Sequence, residues 1–204
     1  MWVGPSVESI IEQEVEMLGT GRLKHKNIVT VFGYHRGPYY VDIIMELCDS
    51  TLTKHINSGQ HADKKLLLQL VEGVCYLHNQ AKIVHRDLKP DNLLIRKVDM
   101  QLKICDFGTS EKLQIDGTFV NDRCCTEYWS APELQSVPTQ CKANIDVYSI
   151  GLIYQYIEPA LNLSQSTSVL LKHLIVLMTE RDSSQRIDVC DVVAHEYFNN
   201  KSKS

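Results

Sequence analysis

Hydrophobic residues along this chain follow two rhythms, and the order in which they appear sets the architecture. Val7, Ile11, Glu14 and Leu18 share one face at i, i+4, i+7 and i+11, so residues 7–18 are predicted to be helical. Two strand-like runs follow at 28–34 and 40–47, separated by the R-G-P turn signal at 36–38. Over 64–78 the period returns to that of a helix, with Leu67, Leu70, Val71, Val74 and Leu77 forming its apolar stripe. Residues 93–95 and 102–105 read as short strands on either side of the polar turn R-K-V-D-M-Q. Beyond them the pattern is helical, at 145–157, 169–178 and 189–195. No repeat, low-complexity block or long linker interrupts it before the polar end N-N-K-S-K-S. Strand early and helix late predicts a two-lobed α+β fold.

The length of 204 residues suits one sizeable domain rather than two. Apolar content of 44% and charged content of 23% are ordinary for a soluble globular protein. A net charge of −4 supplies no basic footprint, which argues against a nucleic-acid partner. Seven cysteines, scattered at 48, 75, 105, 124, 125, 141 and 190, are odd in number and do not form a disulfide framework. They imply a reducing compartment, so the expected location is cytoplasmic, with the nucleus also open. No apolar run reaches membrane-spanning length, and the opening M-W-V-G-P-S lacks the regions of a signal peptide.

Chemistry concentrates in two blocks, H-R-D-L-K-P-D-N at 85–92 and C-D-F-G at 105–108. Together they offer a proton acceptor in Asp87, a phosphate-neutralising cation in Lys89, and oxygen ligands for a hard divalent metal in Asn92 and Asp106. A loop-turning aspartate is the plain alternative for Asp87. The two blocks at this spacing, followed by A-P-E at 131–133, resemble the eukaryotic protein kinases, from about residue 7 to about 198.

The resemblance implies a Ser/Thr protein kinase that transfers the γ-phosphoryl group of ATP to protein hydroxyls. Residues 1–47 would be a partial N-lobe, 48–198 the C-lobe, and 199–204 a polar tail. Asp87 would accept or orient the substrate hydroxyl proton, Lys89 would mark Ser/Thr specificity, and Asn92 and Asp106 would hold Mg²⁺. Adenine would meet the backbone of Glu46 and Cys48 in the hinge M-E-L-C, with Met45 as gatekeeper. Leu94 would sit under the adenine, backed by Leu52, Ile153 and Ile157. Glu133 and Arg186 would be a buried ion pair, and Asp146 would accept backbone N–H groups of the catalytic loop. His85, Phe107, Leu18 and Val31 would stack between the lobes. Thr126 would bond the catalytic loop, and phosphates on Thr118 or Ser110 could pair with Arg86. The wordings T-E-x-W-x-A-P-E and M-E-L-C-D-S-T-L also resemble stress-sensing kinases of the unfolded-protein response.

Two departures bear on activity. The glycine-rich loop and V-A-I-K strand that precede the first helix in the family are absent, and none of the first 21 residues is lysine or arginine. Glu14, in E-V-E-M-L, would therefore lack its lysine partner, and a sheet edge would stand open. The expectation is an N-terminally incomplete kinase, since both acidic motifs are intact. The alternative is a catalytically inactive kinase-like module, a pseudokinase, that binds or regulates a protein partner. The second departure is a gap between 157 and 169, where the family places a further helix used for docking. Cys105, just before D-F-G, would lie near the nucleotide and the pair Cys124–Cys125 could be redox-active, with packing or idle thiols as the plainer reading.

Overall fold

The computed structural model describes residues 23–37, 40–120, 126–135 and 140–199. The predicted helix 7–18, with Glu14 and Leu18, and the cysteines 124 and 125 lie outside the described residues.

The chain enters through Asn27–Val29, which dock on the larger lobe before any hairpin begins. Asn27 Nδ2 donates to Gln69 Oε1 and to the Leu102 carbonyl, both at 3.0 Å. Backbone bonds Val29 N–H to Ile104 O and Ile104 N–H to Asn27 O follow at 2.9 and 2.8 Å. This anchoring shifts the first strand relative to the sequence reading: Ile28 and Val29 are buried core, and strand β1 is Val31–Arg36. It pairs antiparallel with β2, Val41–Met45, with Tyr34 opposite Ile43 and Arg36 opposite Val41. Among the described residues this sheet has two strands, and Phe32, Tyr34 and Ile44 on it are more than half exposed.

A second sheet supports the site. Strand β3, Ser50–Thr51, leads into helix α1, Leu52–Asn57, which Thr51 caps. Helix α2, Lys64–Tyr76, starts at the cap Asp63, whose carboxylate accepts the Leu66 N–H at 2.7 Å. Its buried face carries the predicted leucine and valine stripe. Gly73 on that face allows a close approach, since a methyl there would sit 2.8 Å from Ile104 Cδ1 and 3.2 Å from Asn27 Cβ. A π-helical turn, Leu77–Ala81, continues α2 and ends at Lys82 with φ 56°. Strand β4, Ile83–Val84, then opens a loop that closes through the 3₁₀ turn Pro90–Asn92 into β5, Leu93–Arg96. Strand β6, Gln101–Ile104, returns antiparallel, and β3, β5 and β6 form one sheet in that order.

The segment after β6 pairs twice more. Strand β7, Glu111–Lys112, lies against β4, and β8, Thr118–Val120, against β9, Gln140–Lys142. Helix α3 spans Ile145–Ile157 as its pattern predicts. A 3₁₀ turn, Glu158–Ala160, is the helical element between α3 and α4, Gln165–Met178, so the gap in the sequence is a gap in the fold. Helix α4 begins four residues before its apolar pattern because Ser164 caps it, accepting the Thr167 N–H. Helices α5, Val189–Ala194, and α6, Glu196–Asn199, finish the described chain. Tyr154 of α3 is fully buried and donates its hydroxyl to the Leu67 carbonyl at 2.7 Å, tying α3 to α2. Among the described residues, no helix is long and apolar enough to cross a membrane.

Candidate active site

The loop between β4 and β5 holds its shape through one buried carboxylate. Asp146, in the first turn of α3, accepts the N–H of His85 at 2.8 Å and of Arg86 at 2.9 Å. His78 Nε2, from the π-helical turn, lies 2.8 Å from the same carboxylate. Burial pushes the Asp146 carboxyl up, but the bond to His78 and the His85 contacts outweigh it, leaving the group below its ordinary value. The grip matters because Arg86 has φ 71°, a conformation that costs a non-glycine residue about 1–3 kcal/mol.

Asp87 follows and collects three donors. Lys89 Nζ approaches Oδ2 at 2.6 Å, Asn92 Nδ2 reaches the same oxygen at 3.0 Å, and the Thr126 hydroxyl donates to Oδ1. Lys89 also donates to Thr126 Oγ1 at 3.0 Å, so the cation, the acid and the hydroxyl form one triangle. His85 accepts the Asp87 N–H at Nδ1, which assigns its proton to Nε2 and makes Nε2 the donor to the Cys105 carbonyl at 3.0 Å. Its ring meets Phe107 edge-on with centroids 4.9 Å apart, forming two members of the predicted column.

Asn92 and Asp106 are brought alongside by backbone pairing. Cys105 N–H donates to the Asn92 carbonyl at 3.0 Å, and its thiol bonds that same oxygen at 3.3 Å, which makes Cys105 a packing residue. Asn92 gives its side-chain N–H groups to Asp87, leaving its side-chain oxygen Oδ1 without a bond to a described residue. Asp106 is exposed, has φ 65°, and its carboxylate likewise takes no hydrogen bond or ion pair from a described residue. Two unengaged oxygen donors beside the paired ends of β5 and β6 fit Mg²⁺, which keeps few protein ligands and takes the rest from phosphates and water. No three His, Cys, Asp or Glu side chains converge on a metal site among the described residues.

The hinge carries a feature that the sequence reading missed. Glu46 gives its N–H to the Thr30 carbonyl, leaving its own carbonyl and both backbone groups of Cys48 without a bond to a described residue. Those are the groups an adenine edge would meet. Its carboxylate binds Lys103 Nζ, Arg96 Nη1 and the Thr30 N–H, each at 2.8 Å. Burial raises the Glu46 carboxyl, but the bonds from Lys103 and Thr30 outweigh it and the group ends below its ordinary value. A signal was present: Lys103 sits in the apolar strand L-K-I-C, and a lysine buried there requires a counter-charge. Met45 borders this hinge and is over a third exposed. Leu94 packs on the same core cluster as Leu52, Ile153 and Ile157.

Other predicted residues divide. Arg186 meets Glu133 in a two-pronged fork, Nη1 to Oε1 at 2.7 Å and Nη2 to Oε2 at 3.0 Å. Ser110 is fully buried and donates to the His85 carbonyl, so it is not a presented hydroxyl, contrary to its reading as a phosphosite. Thr118 lies on β8, donating to Asp116 and accepting from Gln140, both at 2.6 Å. The Arg86 guanidinium packs over the Phe119 ring and faces Glu111 at 3.7 Å, rather than Thr118.

The family profile described as protein kinase domain matches residues 5–158. The chain is 35% identical over 157 residues to cyclin-dependent kinase-like 4 of Homo sapiens, covering 74% of this chain and 40% of that protein. It is 33% identical over 164 residues to mitogen-activated protein kinase 2 of Arabidopsis thaliana, covering 72% of this chain and 43% of the relative. A "probable serine/threonine-protein kinase" of Encephalitozoon cuniculi is 29% identical over 197 residues, 93% of this chain and 36% of the relative. The chain therefore spans about two fifths of the length of these curated relatives. None of the three carries a name from the stress-sensing group that the wording around A-P-E resembles.

Proposed function

Since the chain belongs to the eukaryotic protein kinase family of Ser/Thr type, we propose that it is the catalytic core of a Ser/Thr protein kinase acting with ATP on a protein substrate. One observation carries the reading: Lys89, Asn92 and Thr126 converge on the Asp87 carboxylate, beside two unengaged oxygen donors at Asn92 and Asp106. In the proposed reaction the substrate hydroxyl oxygen attacks the γ-phosphorus while the bond to the β–γ bridging oxygen breaks and ADP leaves. Asp87 takes the hydroxyl proton, and Lys89 offsets negative charge on the transferred group. Asn92 and Asp106 would hold Mg²⁺, which would supply positive charge against the negative charge that develops on the phosphates. The unengaged backbone of Glu46 and Cys48 would seat the adenine edge, with Met45 and Leu94 beside it. A reducing, cytoplasmic setting belongs to the proposal, supported by the free thiols of Cys48, Cys75 and Cys190.

A second reading, a non-catalytic module that binds or regulates a protein partner, is favoured by the missing helix between α3 and α4. Incubation with Mg-ATP and a generic Ser/Thr substrate protein, with Asp87→Asn in parallel, separates the two. Phosphorylation that falls about 10²–10⁴-fold in Asp87→Asn is the expected result. Turnover that survives the substitution would sink the assignment of Asp87. A folded chain with no turnover, and no thermal shift with Mg-ATP that Asp106→Asn removes, would establish the second reading.

A further inference from the structure

Cys75 and Cys190 lie 115 positions apart in the chain, yet α2 and α5 bring their Sγ atoms to 3.7 Å. Asn79, in the π-helical turn that extends α2, donates through Nδ2 to both sulfurs, at 3.3 Å to Cys75 and 3.1 Å to Cys190. The amide thus holds two free thiols side by side. Cys190 is exposed and Cys75 half-buried, so a small reagent in solvent reaches the pair from the α5 side. Closing 3.7 Å to the disulfide length of about 2.05 Å is a movement of under 2 Å, within reach of side-chain rotation on a short, solvent-facing helix.

We propose that Cys75 and Cys190 are a site of reversible oxidation, forming an intramolecular disulfide with a peroxide as the two-electron oxidant. Cys190, the accessible thiol, attacks one peroxide oxygen as its thiolate. The O–O bond breaks, giving the Cys190 sulfenic acid and, after protonation, water. The Cys75 sulfur then displaces hydroxide from the Cys190 sulfur, the S–S bond forms, and a second water leaves. Two thiols lose two protons and two electrons, and the peroxide is reduced to two waters. Burial and the bond to Cys75 push the Cys190 thiol above its ordinary value, so the reaction is slow near neutrality and accelerates as pH rises.

The position gives the bond a consequence. Asn79 is adjacent to His78, which contacts Asp146, and Asp146 fixes the backbone of His85 and Arg86. A disulfide here would staple α5 to the helix end that leads into the catalytic loop. The proposal does not depend on kinase activity, and its test does not use activity.

The full chain, reduced and desalted, is treated with dilute hydrogen peroxide and digested without reductant. A linked Cys75–Cys190 peptide, an intact mass lower by two hydrogen atoms, and reversal by dithiothreitol are expected. Formation should be faster at higher pH and absent in Cys190→Ser. A mass loss that persists in Cys190→Ser would assign the oxidation to other cysteines and overturn the proposal. So would separate sulfinic acids on Cys75 and Cys190 with no linked peptide. If Cys190→Ser does not fold, peptide mapping of the wild-type chain decides alone.

Discussion

Glu46→Gln removes the negative charge that pairs with Lys103. In the native structure the Lys103 side chain is 6% exposed and the Glu46 side chain 10%, with the ion pair at 2.8 Å. Removing one partner of such a pair costs about 3–5 kcal/mol, because the other is left charged and desolvated. Glutamine retains an oxygen that can still accept from Lys103 and Thr30, so the expected loss falls at or below the bottom of that range, about 2–3 kcal/mol. In a domain of this size each kcal/mol moves the melting temperature by about 2–4 °C, which predicts a drop of about 4–12 °C near neutral pH. Acid should close the gap. The folded Glu46 carboxyl titrates below its ordinary value, so its contribution is complete above the unfolded pKa and is lost as pH falls through the folded one. Thermal scans of both proteins from neutral to acidic pH measure this directly. The paired substitution Glu46→Gln with Lys103→Met should recover most of the loss, since no buried charge is then stranded. A neutral-pH difference below about 0.5 kcal/mol, or one that stays constant into acid, would refute the argument.

Asp146→Asn keeps one acceptor oxygen for two backbone donors, so unfolding in urea should show a loss of about 1–3 kcal/mol. If the proposed activity is present, it should fall by more than the stability loss explains, because the loop carrying Asp87 loses its brace. Gly73→Ala inserts a methyl 2.8 Å from Ile104 Cδ1 and should destabilise by about 1–3 kcal/mol, against the gain of a better helix former in an open site. An alanine variant as stable as the parent would mean that β6 can yield there.

Much of this was legible because it rests on local chemistry. The α2 stripe and the bounds of α3 follow from periodicity alone, and the Glu133–Arg186 pair and the role of Asp146 follow from the family resemblance. What escaped depends on contacts distant in sequence. An apolar run at 28–34 cannot reveal that Asn27 will fasten its first residues to β6 and delay the strand. Ser110 looks like any loop hydroxyl until the fold closes over it. The Glu46–Lys103–Arg96 cluster joins residues 50 and more positions apart. Only the odd lysine in β6 advertised it.

Arg86 and Asp106, two of the four non-glycine residues with positive φ among the described residues, flank the chemistry, and each is held by a different device. Arg86 is pinned by Asp146, and the strand end before Asp106 is pinned by the Cys105–Asn92 pairing and by His85. All of these anchors lie between residues 78 and 146, in the larger lobe. The acids are therefore arranged independently of the segment where the family keeps its lysine and phosphate loop. An active kinase and a module that has lost turnover would share this same loop geometry, because that geometry follows from α3, β5 and β6. What divides them is whether nucleotide is retained over the acids, and binding of Mg-ATP that depends on Asp106 measures that retention apart from turnover.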